Sequence, residues 1–359
     1  MQTNHQNLFE LLKKLISIPT VSGYESRRIK DAAALAASES RGFWQEWELL
    51  PSGSILLSHK SGISGAKKLV FDAHVDTVGF AVSEVLDGGF LRVVNIGGID
   101  PLILPSSPVL IYGKETVRGF FTSVPPHLSH GADKSNLKVS DLFVDTGYKK
   151  EELLKIVEVG TPIGFCCEPA MLGEDVITSP GLDDKACVGA VLRAAQLLSD
   201  KDVEVDVYAH LAVGEEKTQL GAKTLPYALT DADACIVLDV NFAFTEGVRR
   251  FESLIMGDGA GVSYSATIKR ALTDFIVNTA KKYGIPCQSV VEMTSTGTNA
   301  TFIQKNGIPC AVLSIPLKNM HTYCECVSLS DVENCARLLE KTVLDYPSLK
   351  DGAVNLKEA

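Results

Sequence analysis

Successive short apolar runs in this chain each lead into a side chain able to bind a metal ion. LVFDA runs into His74 and Asp76, VYAHLAV into Glu215 and Glu216, CIVL into Asp239, and AVLSIPLKNM into His321. Runs of this length and composition predict buried strands. Helical stretches alternate with them: KACVGAVLRAAQLLSD, LTDFIVNTAKKYG and SDVENCARLLEKTVLD. The alternation predicts an α/β fold with a largely parallel, doubly wound sheet. Ligands bind such sheets outside the carboxyl ends of the strands, so these groups are expected along one edge. Asp183 and Asp184 stand just before the long helix, where the helix dipole favours a carboxylate. Together these residues make a candidate metal cage.

The texture changes from Gly79 to about Leu172, where FLRVVNI, PVLIYG and TVRGFFTSV alternate with Gly and Pro in the manner of a small β-rich module. At roughly 100–200 residues per domain, 359 residues allow one core with an insertion. The expected organisation is a catalytic domain over 1–78 and 173–359, interrupted by a β-rich domain over 79–172. PPHLSHGADKSN reads as a loop within the module, Gly257, Gly259 and Gly261 as a second loop, and VNLKEA as a frayed tail. Leu8, Phe9, Leu11, Leu12, Leu15 and Ile16 have helical spacing, but Glu10, Lys13 and Lys14 break the run, so an amphipathic helix is expected and no export signal.

A formal net charge of −10 disfavours nucleic acid and anionic lipid surfaces as partners. No apolar run reaches the ~18 residues a membrane span requires. The 9 cysteines form an odd set without a CxxC pair, which predicts reduced thiols and a cytoplasmic location. None has a local context that marks a nucleophile. Gly97-Gly98 lacks the helix that completes a dinucleotide fingerprint, and adjacent Glu215 and Glu216 cannot by themselves flank a glycosidic bond.

Imidazole and carboxylate donors without thiolate suit zinc first, with cobalt or manganese as alternatives. Two divalent ions bridged by one carboxylate, roughly 3.5–4 Å apart, activate the water between them as a nucleophile. Neighbouring Glu215 and Glu216 diverge, so that one can ligate while the other acts as general base. The other histidines are read more plainly. His210 is expected to pack inside a strand, His127 and His130 to lie in the loop, and His5 and His59 have no acidic cluster beside them.

The segments AHVDTVGF, FLRVVNIGGIDPLILPSSPVLIYGKE, the PPHL loop, LFVDTG, GLDDKACVGAVL, VGEEKTQLGA, IVLDV and GIPCAVLSIPLKNMHTYCECV resemble, in order and over nearly the whole chain, the M42 metallo-aminopeptidases. That family includes glutamyl aminopeptidase and the tetrahedral (TET) aminopeptidases. The IGGxDPxxLP-type segment separates it from other co-catalytic zinc peptidases. The resemblance implies a three-layer α/β/α zinc-peptidase core with an inserted β-rich dimerisation domain. It implies a metal-dependent aminopeptidase acting on peptides with a free amino terminus, assembled from dimers, in some members into a tetrahedral dodecamer. His74 and Asp239 would hold one ion, Glu216 and His321 the other, with Asp183 bridging and Glu215 the base. Asp76 would orient His74 through its other ring nitrogen, and Asp184 would fix the turn after the bridge. Thr77, Lys185, Cys187, Asn299 and Lys318 depart from the usual family residues. Two other readings compete: an M20-like amidohydrolase, either carboxypeptidase or deacylase, and a non-catalytic metal-binding assembly protein.

Overall fold

The structure, a computed structural model, describes residues 2–124, 127–128, 136–292 and 295–349. His130 and VNLKEA therefore lie outside the described residues, as does most of the PPHL loop. The chain enters through α1 (Gln2–Ile16) and α2 (Ile29–Glu39), then forms β1 (Glu46–Leu49), β2 (Ile55–His59) and β3 (Lys68–His74). Six strands follow as a separate unit: β4 (Gly79–Val85), β5 (Phe90–Ile96), β6 (Pro108–Tyr112), β7 (Thr116–Phe121), β8 (Phe143–Asp145) and, after the short α3 (Lys150–Leu153), β9 (Pro162–Phe165). They close into a barrel in the order β4-β5-β8-β7-β6-β9. Alternation turns Val109, Ile111, Val117 and Phe121 inward around Phe80, so the barrel has its own core.

The chain then returns through β10 (Ala170–Leu172) and β11 (Val176–Ser179) to α4 (Leu182–Leu198), β12 (Asp206–Ala212), α5 (Leu220–Ala228) and β13 (Ala234–Phe242). β10 falls within the segment expected to be inserted, yet it pairs with β11 in the large sheet. β14 (Ala260–Tyr264), α6 (Arg270–Tyr283), β15 (Cys287–Val291), α7 (Ala300–Lys305), β16 (Cys310–Lys318), β17 (Glu325–Ser328) and α8 (Leu329–Asp345) complete the fold.

The large sheet has 11 strands, with the main order β1-β2-β12-β3-β13-β16-β17-β11-β10. Its centre, β12-β3-β13-β16, has the expected parallel pairing, as does the side pair β14-β15; the flanking β2, β17 and β11 are antiparallel, as is the β14-β16 contact, so the sheet is mixed. Gly261 corrects the loop reading, because it lies within β14 beside Leu254, where a Cβ would come within 2.6 Å of Leu254 Cδ1. A glycine demanded by close packing looks like a turn residue in sequence.

Helices cover both faces. Leu8, Leu11, Leu12 and Leu15 of α1 join α4, α6 and α8 in one apolar layer, while α5 and α7 close the other face over Val70, Cys235 and Val237. Gly189 lets α1 approach α4: a Cβ there would stand 2.5 Å from Leu12 Cδ2. Among the described residues no helix is long and apolar enough to cross a membrane.

Candidate metal centre

The parallel strands point their carboxyl ends the same way, which brings distant parts of the sequence together. His74 is the last residue of β3, and Glu215 and Glu216 follow β12 across Gly214. Asp239 lies within β13, and His321 lies in the connection from β16 to β17. Asp183 enters from the first turn of α4. One group of possible ligands comprises His74, Asp183, Asp184 and Asp239, all buried; the second comprises Asp183, Glu216 and His321.

Asp183 belongs to both groups. Its Oδ1 lies 3.2 Å from His74 Nε2 and its Oδ2 lies 3.3 Å from His321 Nε2. Asp239 Oδ1 stands 3.8 Å from His74 Nε2, and Glu216 Oε2 stands 3.3 Å from His321 Nε2. The far nitrogen of each imidazole faces a main-chain carbonyl: His74 Nδ1 is 2.9 Å from Asp76 O and His321 Nδ1 is 2.6 Å from Gly98 O. A carbonyl only accepts, so Nδ1 carries a proton and Nε2 is the nitrogen that faces the carboxylates. With Nε2 deprotonated, that is the arrangement a ligating histidine requires.

Asp76 thus meets His74 through its main chain, with its carboxylate Oδ1 at 3.7 Å from the ring nitrogen. The carboxylate is engaged elsewhere, accepting the N–H of Glu215 (3.0 Å) and of Glu216 (3.2 Å). Asp184 follows a cis peptide after Asp183 and accepts the N–H of His74 at 3.2 Å. Asp184 Oδ1 and Glu216 Oε1 are buried without a hydrogen-bond partner. Orphaned carboxylate oxygens inside an oxygen- and nitrogen-donor cage fit divalent cations.

The electrostatics agree. Burial, with neighbouring carboxylates, pushes the carboxyls of Glu215, Glu216, Asp184 and Asp239 upward. Burial alone would discharge His74 and His321, yet hydrogen bonding to Asp183, with charge from Asp184 and Asp239 at His74 and from Asp183 at His321, holds both upward. Burial would likewise raise Asp183, and the two imidazoles outweigh it and hold that carboxyl well below its usual range. The cage is rich in acid and poor in countercharge, the deficit that two divalent cations supply.

Several supporting residues escaped the sequence reading. Glu25 accepts the N–H of Gly214 at 2.9 Å. Glu325, a buried glutamate in the fully buried strand segment ECVS, accepts two main-chain N–H groups. Its sequence signal was the charge inside a buried strand. Below His74 on β3, Asp72 bonds His210 Nδ1 (2.5 Å) and Asn299 Nδ2 (2.9 Å), all three fully enclosed. His210 is thus a core residue paired with an acid. Among the departures, Cys187 is buried in the apolar layer and Lys185 donates from a buried Nζ to Ile18 O at 2.6 Å. Thr77 pairs with Val21 in an isolated bridge. His127 is exposed.

The family model for M42 glutamyl aminopeptidase matches residues 53–338. The chain is 32% identical to the lysyl aminopeptidase of Pyrococcus furiosus over 92% of this chain and 95% of the relative. Among solved structures, an aminopeptidase from Desulfurococcus kamchatkensis superposes with a TM-score of 0.86 at 30% identity, covering 94% of this chain and 95% of the other. The Pyrococcus horikoshii TET1 peptidase, which can assemble into a tetrahedron or a large octahedral shell, superposes with a TM-score of 0.82 at 29% identity, covering 94% and 99%. With the site geometry and these likenesses in agreement, the chain belongs to the M42 metallo-aminopeptidase family and acts as a metal-dependent aminopeptidase through a binuclear metal site.

Proposed function

We propose that the chain removes amino-terminal residues from peptides and short oligopeptides with a free amino terminus, using Glu215 as general base. In this reading His74 and Asp239 hold one ion, Glu216 and His321 the other, and Asp183 is shared. The observation that carries it is the pair of Asp183 oxygens, one 3.2 Å from His74 Nε2 and the other 3.3 Å from His321 Nε2. Two divalent ions bound there, zinc first and cobalt or manganese as alternatives, would lower the pKa of a water and polarise a carbonyl oxygen.

Glu215 is outside both ligand groups, and burial raises its carboxyl first of all. A carboxyl raised toward neutral pH can both take a proton from water and return it to the departing amine. Asp76 holds the Glu215 and Glu216 main chain, so the base and the ligand keep divergent directions from adjacent residues. Asp184 holds the His74 amide, which fixes that ligand at the end of its strand. The acid-rich surroundings favour a positively charged substrate amine and disfavour an acylated one. That preference separates this reading from an M20-like deacylase.

The names of the relatives support aminopeptidase action, and the shells formed by the horikoshii protein support a homo-oligomer for this chain, with the barrel as its dimerisation unit. The 9 cysteines, all free, are compatible with a cytoplasmic location. Glu215→Gln should retain both ions in metal analysis while hydrolysis of aminoacyl anilides falls by about 10²-fold or more. Normal turnover in that variant would remove Glu215 from the base role.

A further inference from the structure

The connection that carries His321 follows a difficult path. Asn319 (φ 59°) and His321 (φ 62°) both adopt left-handed backbone without being glycine, a conformation that crowds any Cβ. It persists only where surrounding structure holds it. The imidazole is held at Nδ1 by Gly98 O, from the barrel side. The main chain is held by Glu325, whose Oε1 accepts the His321 N–H at 2.9 Å. The other oxygen of the same carboxylate, Oε2, accepts the Asp183 N–H at 3.1 Å. Glu325 is 2% exposed, so water does not compete for either bond.

We propose that Glu325 is a positioning residue for the binuclear site, fixing the spacing between the shared carboxylate of Asp183 and the imidazole of His321. The inference rests on the binuclear reading above. Its physical basis is the need for two acceptors. Both partners are N–H donors converging on one side chain, and a carboxyl group has two oxygens, one accepting from each. Glutamine of the same shape offers one oxygen, and its NH₂ meets the other N–H donor to donor. Two of the three ligands in the Asp183, Glu216 and His321 group depend on this side chain, against one of four in the other group. Damage from its loss is therefore concentrated on one ion.

The test is a cobalt titration of the metal-free full chain, wild type against Glu325→Gln, followed by visible absorption, with aminoacyl-anilide kinetics on the loaded proteins. The expected result is that one ion binds about 10- to 100-fold more weakly and the other near its wild-type affinity, with kcat lowered and KM little changed. A folded Glu325→Gln protein that binds both ions as tightly as wild type, with the same cobalt spectrum, overturns the proposal; a role confined to stability would give that result with a lower melting temperature. If the variant does not fold, amide hydrogen exchange on the wild-type holoenzyme decides. The His321 and Asp183 amides should be protected like those of β3 and β13, and exchange at exposed-loop rates overturns the proposal. A wild-type chain that binds fewer than two ions would instead sink the binuclear reading itself.

Discussion

Asp76, Glu25 and Glu325 are buried acids whose oxygens face main-chain N–H groups, whereas Asp183, Asp239 and Glu216 reach into the ligand groups, Asp239 while also accepting the Val240 N–H. The two sets look alike in sequence and differ in what they touch. Asp76→Ala removes the acceptor for two consecutive amides and should weaken the ion at Glu216 by about tenfold or more, read by competition with a chelator. Unchanged affinity would make Asp76 a bystander. Asp72 makes a different prediction. Its replacement by Leu leaves His210 and Asn299 enclosed without their partner, and should cost roughly 3–5 kcal/mol in urea unfolding. A loss within experimental error would mean that the pair is easily resolvated. The residues that meet in the ligand groups were legible because strand ends converge in an α/β sheet, whatever their separation in sequence. Glu25, Glu325 and the Gly98 carbonyl were not, because accepting a main-chain N–H or offering a main-chain oxygen leaves no spacing pattern to read.

The turn Gly97-Gly98 at the end of β5 brings the barrel to the metal centre. Gly97 has φ 82°, and a Cβ there would stand 2.6 Å from Val78 Cγ1; Gly98 supplies the carbonyl on His321. Gly97→Ala should therefore cost about 1–2 kcal/mol of stability and loosen the ion at His321. Denaturation midpoint and chelator competition measure the two effects separately; a stability loss without any change at the ion would mean the turn shifts without moving the carbonyl. At this scale the alternating texture of the barrel and the apolar runs of β3, β12, β13 and β16 were plain in sequence. The antiparallel flanks were not, since β2, β11 and β17 are set by their pairing partners rather than by their own composition. β14 was missed for a related reason: Gly259 (φ 90°) passes close to Pro286 O and Gly261 close to Leu254, so glycines required by packing imitated a loop.

For the whole molecule, a net charge of −10 and a cage of buried acids predict that bound ions would stabilise the fold as well as serve the chemistry. A ligand at about 100 times its Kd stabilises a native state by ~2.7 kcal/mol. Chelation should therefore lower the denaturation midpoint of the full chain, and zinc should restore it; identical midpoints with and without chelator would show that the ions do not contribute to stability. The central claim, that peptide-bond hydrolysis runs on two ions sharing Asp183, is tested most directly by titrating the metal-free protein with zinc while following hydrolysis of an aminoacyl anilide and its N-acetylated counterpart. Activity on the free-amine substrate alone, complete at two equivalents and absent from an Asp183→Ala variant that has lost both ions, is the predicted result. Full activity without metal, or equal hydrolysis of the acetylated substrate, would contradict it.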